Sequence, residues 1–168
     1  EVELLTLDRS TFVNALERAG IPREDVLDQV RNSAFLHTVP LFNCLPAARV
    51  RGLLQSAEVE RRAASETVVR QHDPGDALYI VREGVCKVTH ATPEGAEHEV
   101  AKLEAGDYFG EISLLRGTAR TATVTTETEA VLLRIPASIF ADILLEDVKA
   151  TMEIQRAAAE RLSALEAA

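Results

Sequence analysis

Phe109-Gly110-Glu111-Ile112-Ser113-Leu114-Leu115-Arg116-Gly117-Thr118-Ala119-Arg120-Thr121-Ala122-Thr123-Val124 is the stretch that decides how this chain is read. Gly106 and Gly110 bracket a strand-to-helix turn, and residues 111–115 fit a short helix. The first amides of such a helix have no partner within it and favour an anion. Arg120 follows nine positions after Glu111, at the start of a predicted strand. A guanidinium returning there can grip a phosphate through two parallel hydrogen bonds. Glu111 is an acceptor-only carboxylate close to that anion. A carboxylate beside a phosphate makes chemical sense when it accepts from a sugar hydroxyl. The stretch therefore predicts recognition of a phosphate joined to a ribose.

Working outward, three zones differ in pattern. Residues 1–56 read as helical. Val2, Leu4, Leu5 and Leu7 resemble the end of a strand, and Asp8 is placed to cap a helix whose face carries Phe12, Val13 and Leu16. Gly20 and Pro22 break it. Residues 25–35 restart it with Val26, Leu27, Val30 and Ala34 on one side, Pro40 stops it, and Pro46 opens another helix through Val50, Leu53 and Leu54. Residues 57–135 switch to short β-prone runs: 58–62, 67–71, 77–82, 85–90, 98–103, 119–126 and 130–135. His72-Asp73-Pro74-Gly75-Asp76, Glu83-Gly84 and Pro93-Glu94-Gly95 supply the turns. Strands at this spacing predict an antiparallel barrel or roll. Residues 136–168 return to helix, with Pro136 at a first-turn position, one short helix over 137–145 and a longer one over 147–165.

Composition bounds the function. The 168 residues are 46% apolar, enough for a real core, and only 4% aromatic, so that core rests on Val, Leu, Ile and Ala. A formal net charge of −9 argues against a broad nucleic-acid surface but allows one buried anion site. Cys44 and Cys86 form no disulfide framework and no zinc pattern, which fits a reduced, cytoplasmic setting. No apolar run approaches the roughly 20 residues of a membrane span. The chain begins Glu-Val-Glu and shows no secretory or transit segment, so it reads as a piece of something longer.

Residues 109–124 resemble, without a gap, the phosphate-binding cassette of the cyclic-nucleotide-binding domain family. The order of helices, roll and helices extends the resemblance over roughly the whole chain, and Gly75, Gly84 and Gly106 match the family's structural glycines. The resemblance implies an α+β fold: an antiparallel eight-stranded β-roll flanked by N-terminal helices and a C-terminal hinge and lid helix pair. It implies a domain over 39–168, with the roll near 57–135 and hinge and lid over 136–166. Residues 1–38 would be the end of a preceding domain of the same family and its connecting helices. Glu111 then matches the glutamate that holds the ribose 2′-hydroxyl, and Arg120 the arginine that pairs with the cyclic phosphate. Gly110, Ile112 and Ser113 would offer backbone amides, Thr121 occupies the selectivity position, and Ala122 lines the site. A hydroxyl at Thr121 tilts the preference mildly toward cGMP, so the ligand is cAMP or cGMP. Ala119 stands where the family often has Pro.

The same resemblance implies that the last helix caps the base. The expected region, 152–159, has no aromatic, leaving Met152, Ile154 or Arg156 as the cap. The implied partner is a protein kinase catalytic domain or subunit, with no cofactor, metal, nucleic acid or membrane. The plainer reading of Glu111 and Arg120, an internal ion pair, is outweighed by their Gly-Glu context and spacing. Other features have plain readings. Arg61-Arg62-Ala63-Ala64-Ser65, which resembles a kinase substrate, is a solvated strand. His72 and His98 are isolated surface histidines without metal-ligand partners. Ser65 and Ser113 have no His/Asp arrangement for a hydrolase. The rival classes are a DNA-binding regulator of the bacterial catabolite-activator type, for which no helix-turn-helix follows the last helix, a nucleoside-responsive regulator, and a scaffold that has lost its ligand.

Overall fold

In a computed structural model, which describes residues 8–20, 22–39, 42, 45–93 and 95–166, three helices lead into a β-roll and two close it. The N-terminal helices are α1 (Arg9–Ala19), α2 (Arg23–Leu36) and α3 (Ala47–Ser56). Asp8 caps α1 as its sequence predicts: its carboxylate accepts from the backbone amides of Ser10 and Thr11, both at 2.9 Å. Those bonds, with the two hydroxyls, hold the Asp8 carboxyl well below the usual range. Gly20 ends the helix in the left-handed region, at φ 65°. The strand end expected at residues 2–7, the stop at Pro40, Cys44 and Glu94 lie outside the described residues, as do the side chains of Val26, Leu27 and Val30.

The eight strands are β1 (Glu58–Arg62), β2 (Thr67–Val69), β3 (Ala77–Glu83), β4 (Cys86–Ala91), β5 (Glu97–Leu103), β6 (Tyr108–Phe109), β7 (Thr123–Thr126) and β8 (Ala130–Pro136). They form two four-stranded antiparallel sheets, β1-β8-β3-β6 and β2-β7-β4-β5. Between β6 and β7 comes the short helix α4 (Glu111–Arg116), and after β8 come α5 (Ala137–Glu146) and α6 (Val148–Glu166). No described helix is long and apolar enough to cross a membrane.

β3 explains the layering. Its residues 77–82 are all buried, because both faces are covered. Leu78 and Ile80 join Leu133 and Ile135 of β8 against the helices, in a core with Val50, Phe140 and Ile154. Ala77, Tyr79 and Val81 face the other way, into the roll, with Cys86, Leu103, Phe109, Val124 and Leu132. The alternation along each strand separates two cores with one sheet between them. The helices therefore ride on one sheet and leave the inside of the roll to its own side chains. α2 is fixed from below by Arg82 of β3, which is buried and donates to Asn32 at 2.6 Å.

Two strands are shorter than the sequence pattern. β2 ends at Val69 after a register shift against β7. β7 begins at Thr123, four residues later than expected, because residues 119–122 turn toward the roll's mouth. There Ala119 bridges Pro74, and the Arg120 amide donates to the Asp73 carbonyl at 2.8 Å. The resemblance to a kinase substrate at 61–65 resolves as strand: Arg61 and Arg62 pair in β1, and Arg62 ion-pairs with Glu60 and Glu66. Ser65 sits in the turn that follows, its amide bonded to the Thr126 carbonyl at 2.8 Å.

Candidate functional site

The cassette runs from β6 through α4 to the start of β7 and lines a pocket with the inner face of sheet β2-β7-β4-β5. Phe109, Gly110, Glu111, Ile112, Ser113, Arg120, Thr121 and Ala122 all face that pocket. Every cassette residue singled out in the sequence is thus brought to one place.

Arg120 is 3% exposed and caged. One terminal nitrogen donates to the Gly110 carbonyl and to Ser113 Oγ, both at 3.0 Å. The other donates to the Ala77 carbonyl at 2.8 Å and reaches Asp76 at 3.2 Å. Ser113 Oγ in turn donates to the Gly110 carbonyl at 2.9 Å. The guanidinium also lies 5.8 Å from the ring centre of Tyr79, which stacks on Phe109 at 5.1 Å. Burial pushes the Arg120 guanidinium below the usual arginine range, with Asp76 partly opposing.

The charge around Arg120 is incompletely neutralised. Asp76 is its nearest carboxylate, but that side chain is 63% exposed and holds Arg134 more closely, at 2.7 Å. Carbonyls and a hydroxyl supply the rest. A buried cation with half a carboxylate attracts an anion, and a second negative charge at the pocket would be strongly favoured. The plainer alternative, a Glu111–Arg120 ion pair, is absent among the described residues, and each takes a different partner.

Backbone geometry keeps the cage tight. Gly110 has φ 92°, and a Cβ there would strike Arg120 and lie 2.9 Å from the Ala77 carbonyl oxygen. At Gly75 a Cβ would strike Ser113. Both positions are glycine because the guanidinium and the hydroxyl occupy the space a side chain would need.

Glu111 is 1% exposed and accepts from Arg161 at 2.8 Å. Arg161 also donates to the Tyr108 carbonyl at 2.8 Å and lies 4.6 Å over the Tyr108 ring centre. Arg161, Ala164 and Leu165 bring α6 to the pocket, opposite Val88, Val100, Ala101 and Leu103. The three cap residues expected from the sequence lie elsewhere. Met152 is 65% exposed, Ile154 is fully buried in the helix-side core, and the Arg156 side chain is exposed, ion-paired to Glu153. The signal that marks Arg161 is periodic. Ala150, Ile154 and Ala158 are the buried stripe of α6, and Arg161 and Leu165 continue it by three and four. A charged residue on an apolar stripe needs a partner, and Glu111 is that partner.

Thr121 faces the pocket, and its carbonyl lies 3.0 Å from His90 Nδ1 of β4. Among the described residues no group of three or more His, Cys, Asp or Glu side chains is arranged to hold a metal ion.

Comparisons with known proteins agree with this geometry. Residues 59–147 match the model of the cyclic nucleotide-binding domain. The chain is 37% identical over 121 residues to a cAMP-dependent protein kinase regulatory subunit of Mycosarcoma maydis, covering 72% of this chain and 22% of that protein. It is 31% identical over 127 residues to human cGMP-dependent protein kinase 2, covering 75% of this chain and 16% of that protein. The matched stretch spans between 16% and 38% of the length of the curated relatives. Among solved structures, the regulatory domain of Toxoplasma gondii PKA, crystallised with cAMP, superposes with a TM-score of 0.73 at 25% identity, over 94% of this chain and 56% of that one. With the cassette, the two-sheet roll and the closing helices all in place, the chain belongs to the cyclic nucleotide-binding domain family.

Proposed function

We propose that this chain binds a cyclic nucleotide, cAMP or cGMP, as a regulatory, non-catalytic domain of a cyclic-nucleotide-dependent protein kinase. The observation that carries the proposal is the buried, under-neutralised guanidinium of Arg120 at the end of the pocket. A cyclic phosphate would supply the missing negative charge. Glu111 would accept from the ribose 2′-hydroxyl, and Gly110, Ile112 and Ser113 would line the phosphate and sugar. Thr121 and Ala122 would border the base.

On this proposal residues 39–168 are the binding domain, and residues 1–38 connect it to a preceding domain of the same kind. The proposed partner is a protein kinase catalytic domain or subunit, which the relatives' names support, and the proposed setting is cytoplasmic.

The mechanism follows from where α6 is held. Its bonds to the cassette run through Arg161, onto Glu111 and the Tyr108 carbonyl. A ribose hydroxyl on Glu111 and a phosphate on Arg120 would reset the position of α4. α5 would act as the hinge and α6 as the lid. A ligand moves such an equilibrium only by its differential affinity for the two arrangements. A change from mostly off to mostly on needs about 5.5 kcal/mol of difference.

The test is a side-by-side calorimetric titration with cAMP, cGMP, adenosine and guanosine. The proposal expects both cyclic nucleotides to bind at least about tenfold more tightly than the nucleosides, about 1.4 kcal/mol. Equal affinities would remove the role given to Arg120 and favour a nucleoside-responsive regulator.

A further inference from the structure

His90 and His98 are eight residues apart in the sequence and directly opposed in the β4–β5 ladder. The sequence alone leaves His98 isolated. A β-bulge brings it its neighbour. Val88 pairs with Ala101, but the next pair is Thr89 with Glu99, so Val100 is the extra residue. Without that bulge Glu99 would oppose His90.

Opposed residues of an antiparallel pair point to the same face, and alternate pairs share it. Cys86 and Leu103 open one such face in the roll's core. Val88 and Ala101 follow it into the pocket wall. His90 and His98 come next, at the end of the ladder, where His90 is half-buried and His98 exposed. Cβ atoms of directly opposed residues lie roughly 4.5–5.5 Å apart. Imidazoles at that spacing can converge on one ion at the usual metal–nitrogen distance of about 2.0–2.1 Å.

The His90 ring is already oriented for this. Its Nδ1 lies 3.0 Å from the Thr121 carbonyl oxygen. A carbonyl only accepts, so Nδ1 carries the proton and the neutral ring presents its lone pair at Nε2. A metal-binding histidine is typically held in this way, by a carbonyl behind its other nitrogen. The exposed ring of His98 leaves the site open to solvent, so waters would complete the coordination shell.

We propose that His90 and His98 form a two-histidine site for a divalent transition metal ion, of which Zn²⁺ is the biological candidate. Imidazole pairs suit Zn²⁺, Ni²⁺ and Cu²⁺ and bind Mg²⁺ or Ca²⁺ poorly. The net charge of −9 adds a general attraction for cations. The bound ion would staple the end of the β4–β5 hairpin and, through the Thr121 carbonyl, attach it to the cassette.

The test is calorimetry of the nucleotide-free chain with Zn²⁺ and Ni²⁺, so its outcome is independent of cyclic-nucleotide binding. The expected result is one ion per chain, with affinity at least about tenfold weaker in His98→Ala and in His90→Ala and unchanged in His72→Ala. His98 is exposed, so its variant decides the matter even if His90→Ala disturbs the fold. Electron paramagnetic resonance of the Cu²⁺ form would show coupling to two imidazole nitrogens, and to one in His98→Ala. Undiminished affinity in His98→Ala, or no binding by the native chain up to about 1 mM, would overturn the proposal.

Discussion

The two ends of the pocket are built on different principles. At the end proposed for the phosphate, Arg120 is fixed by two backbone carbonyls, a hydroxyl and a carboxylate, with two glycines cleared of side chains around it. At the end proposed for the base, apolar side chains of β4 and β5 line the pocket with the tail of α6, which Arg161 ties to the cassette. The first end is over-determined by the roll and has one geometry. The second is closed by the tail of α6, which meets the cassette through the Arg161–Glu111 ion pair, while Ala150 and Ile154 anchor the start of the helix in the core. On the proposed function this contrast suits a switch, with a fixed reader of phosphate and a lid that moves at the tail of α6.

The contrast breaks most sharply at Gly110. Gly110→Ala would combine a strained left-handed residue, about 1–3 kcal/mol, with overpacking against Arg120, about 1–3 kcal/mol. Urea unfolding should register the sum. A loss below about 1 kcal/mol would mean the cage is looser than described.

The base end is weaker and should respond less. Arg161→Ala leaves the Glu111 carboxylate buried without its ion-pair partner, an expected cost of about 1–3 kcal/mol. Hydrogen exchange should show faster opening confined to α6, with the roll's amides unchanged. Equal acceleration in both regions would erase the distinction between reader and lid.

Acid separates the ends more gently. Burial alone would raise the Asp76 carboxyl, but hydrogen bonding and charge from Arg134, with Arg120 behind, hold it below the usual range. A carboxylate depressed in the folded state stabilises at neutral pH, and that contribution fades as pH falls through about 4 and below. The stability gap between the native chain and Asp76→Asn should therefore shrink between pH 7 and pH 3. The smallest effect belongs to the helix positions away from the pocket. Met152→Ala and Arg156→Ala should change stability and ligand affinity by no more than about 0.5 kcal/mol. Ile154→Ala, from the same turns but in the core, should cost about 2–5 kcal/mol of stability.

The phosphate end was legible in the sequence because its determinants are local. Gly110, Glu111, Ser113 and Arg120 fall within eleven consecutive residues, and their spacing alone implies a turn, a helix and a returning strand. The same holds for β1, β3 and β8, whose bounds match the β-prone runs between turns within a residue. Less was legible where long-range contacts decide. β6 is two residues, Tyr108 and Phe109, too short to show any alternation, and it exists because β3 offers it an edge. Asp76 lies 44 positions before Arg120 and reads in sequence only as a turn residue. Likeness to the family points to residues 152–159 for the α6 contact, whereas the helix's own buried stripe leads to Arg161. The pairing of His90 with His98 depends on a bulge that no composition signal announces.

The central claim is that Arg120 is the phosphate anchor. Its most direct test is calorimetric titration of Arg120→Lys with cAMP and cGMP beside the native chain, with circular dichroism confirming the retained roll. Lys keeps the charge but cannot reproduce the forked donors. The account predicts a loss of about 2–5 kcal/mol of binding free energy for both ligands, at least about thirtyfold in affinity. Unchanged affinity for either cyclic nucleotide would contradict it.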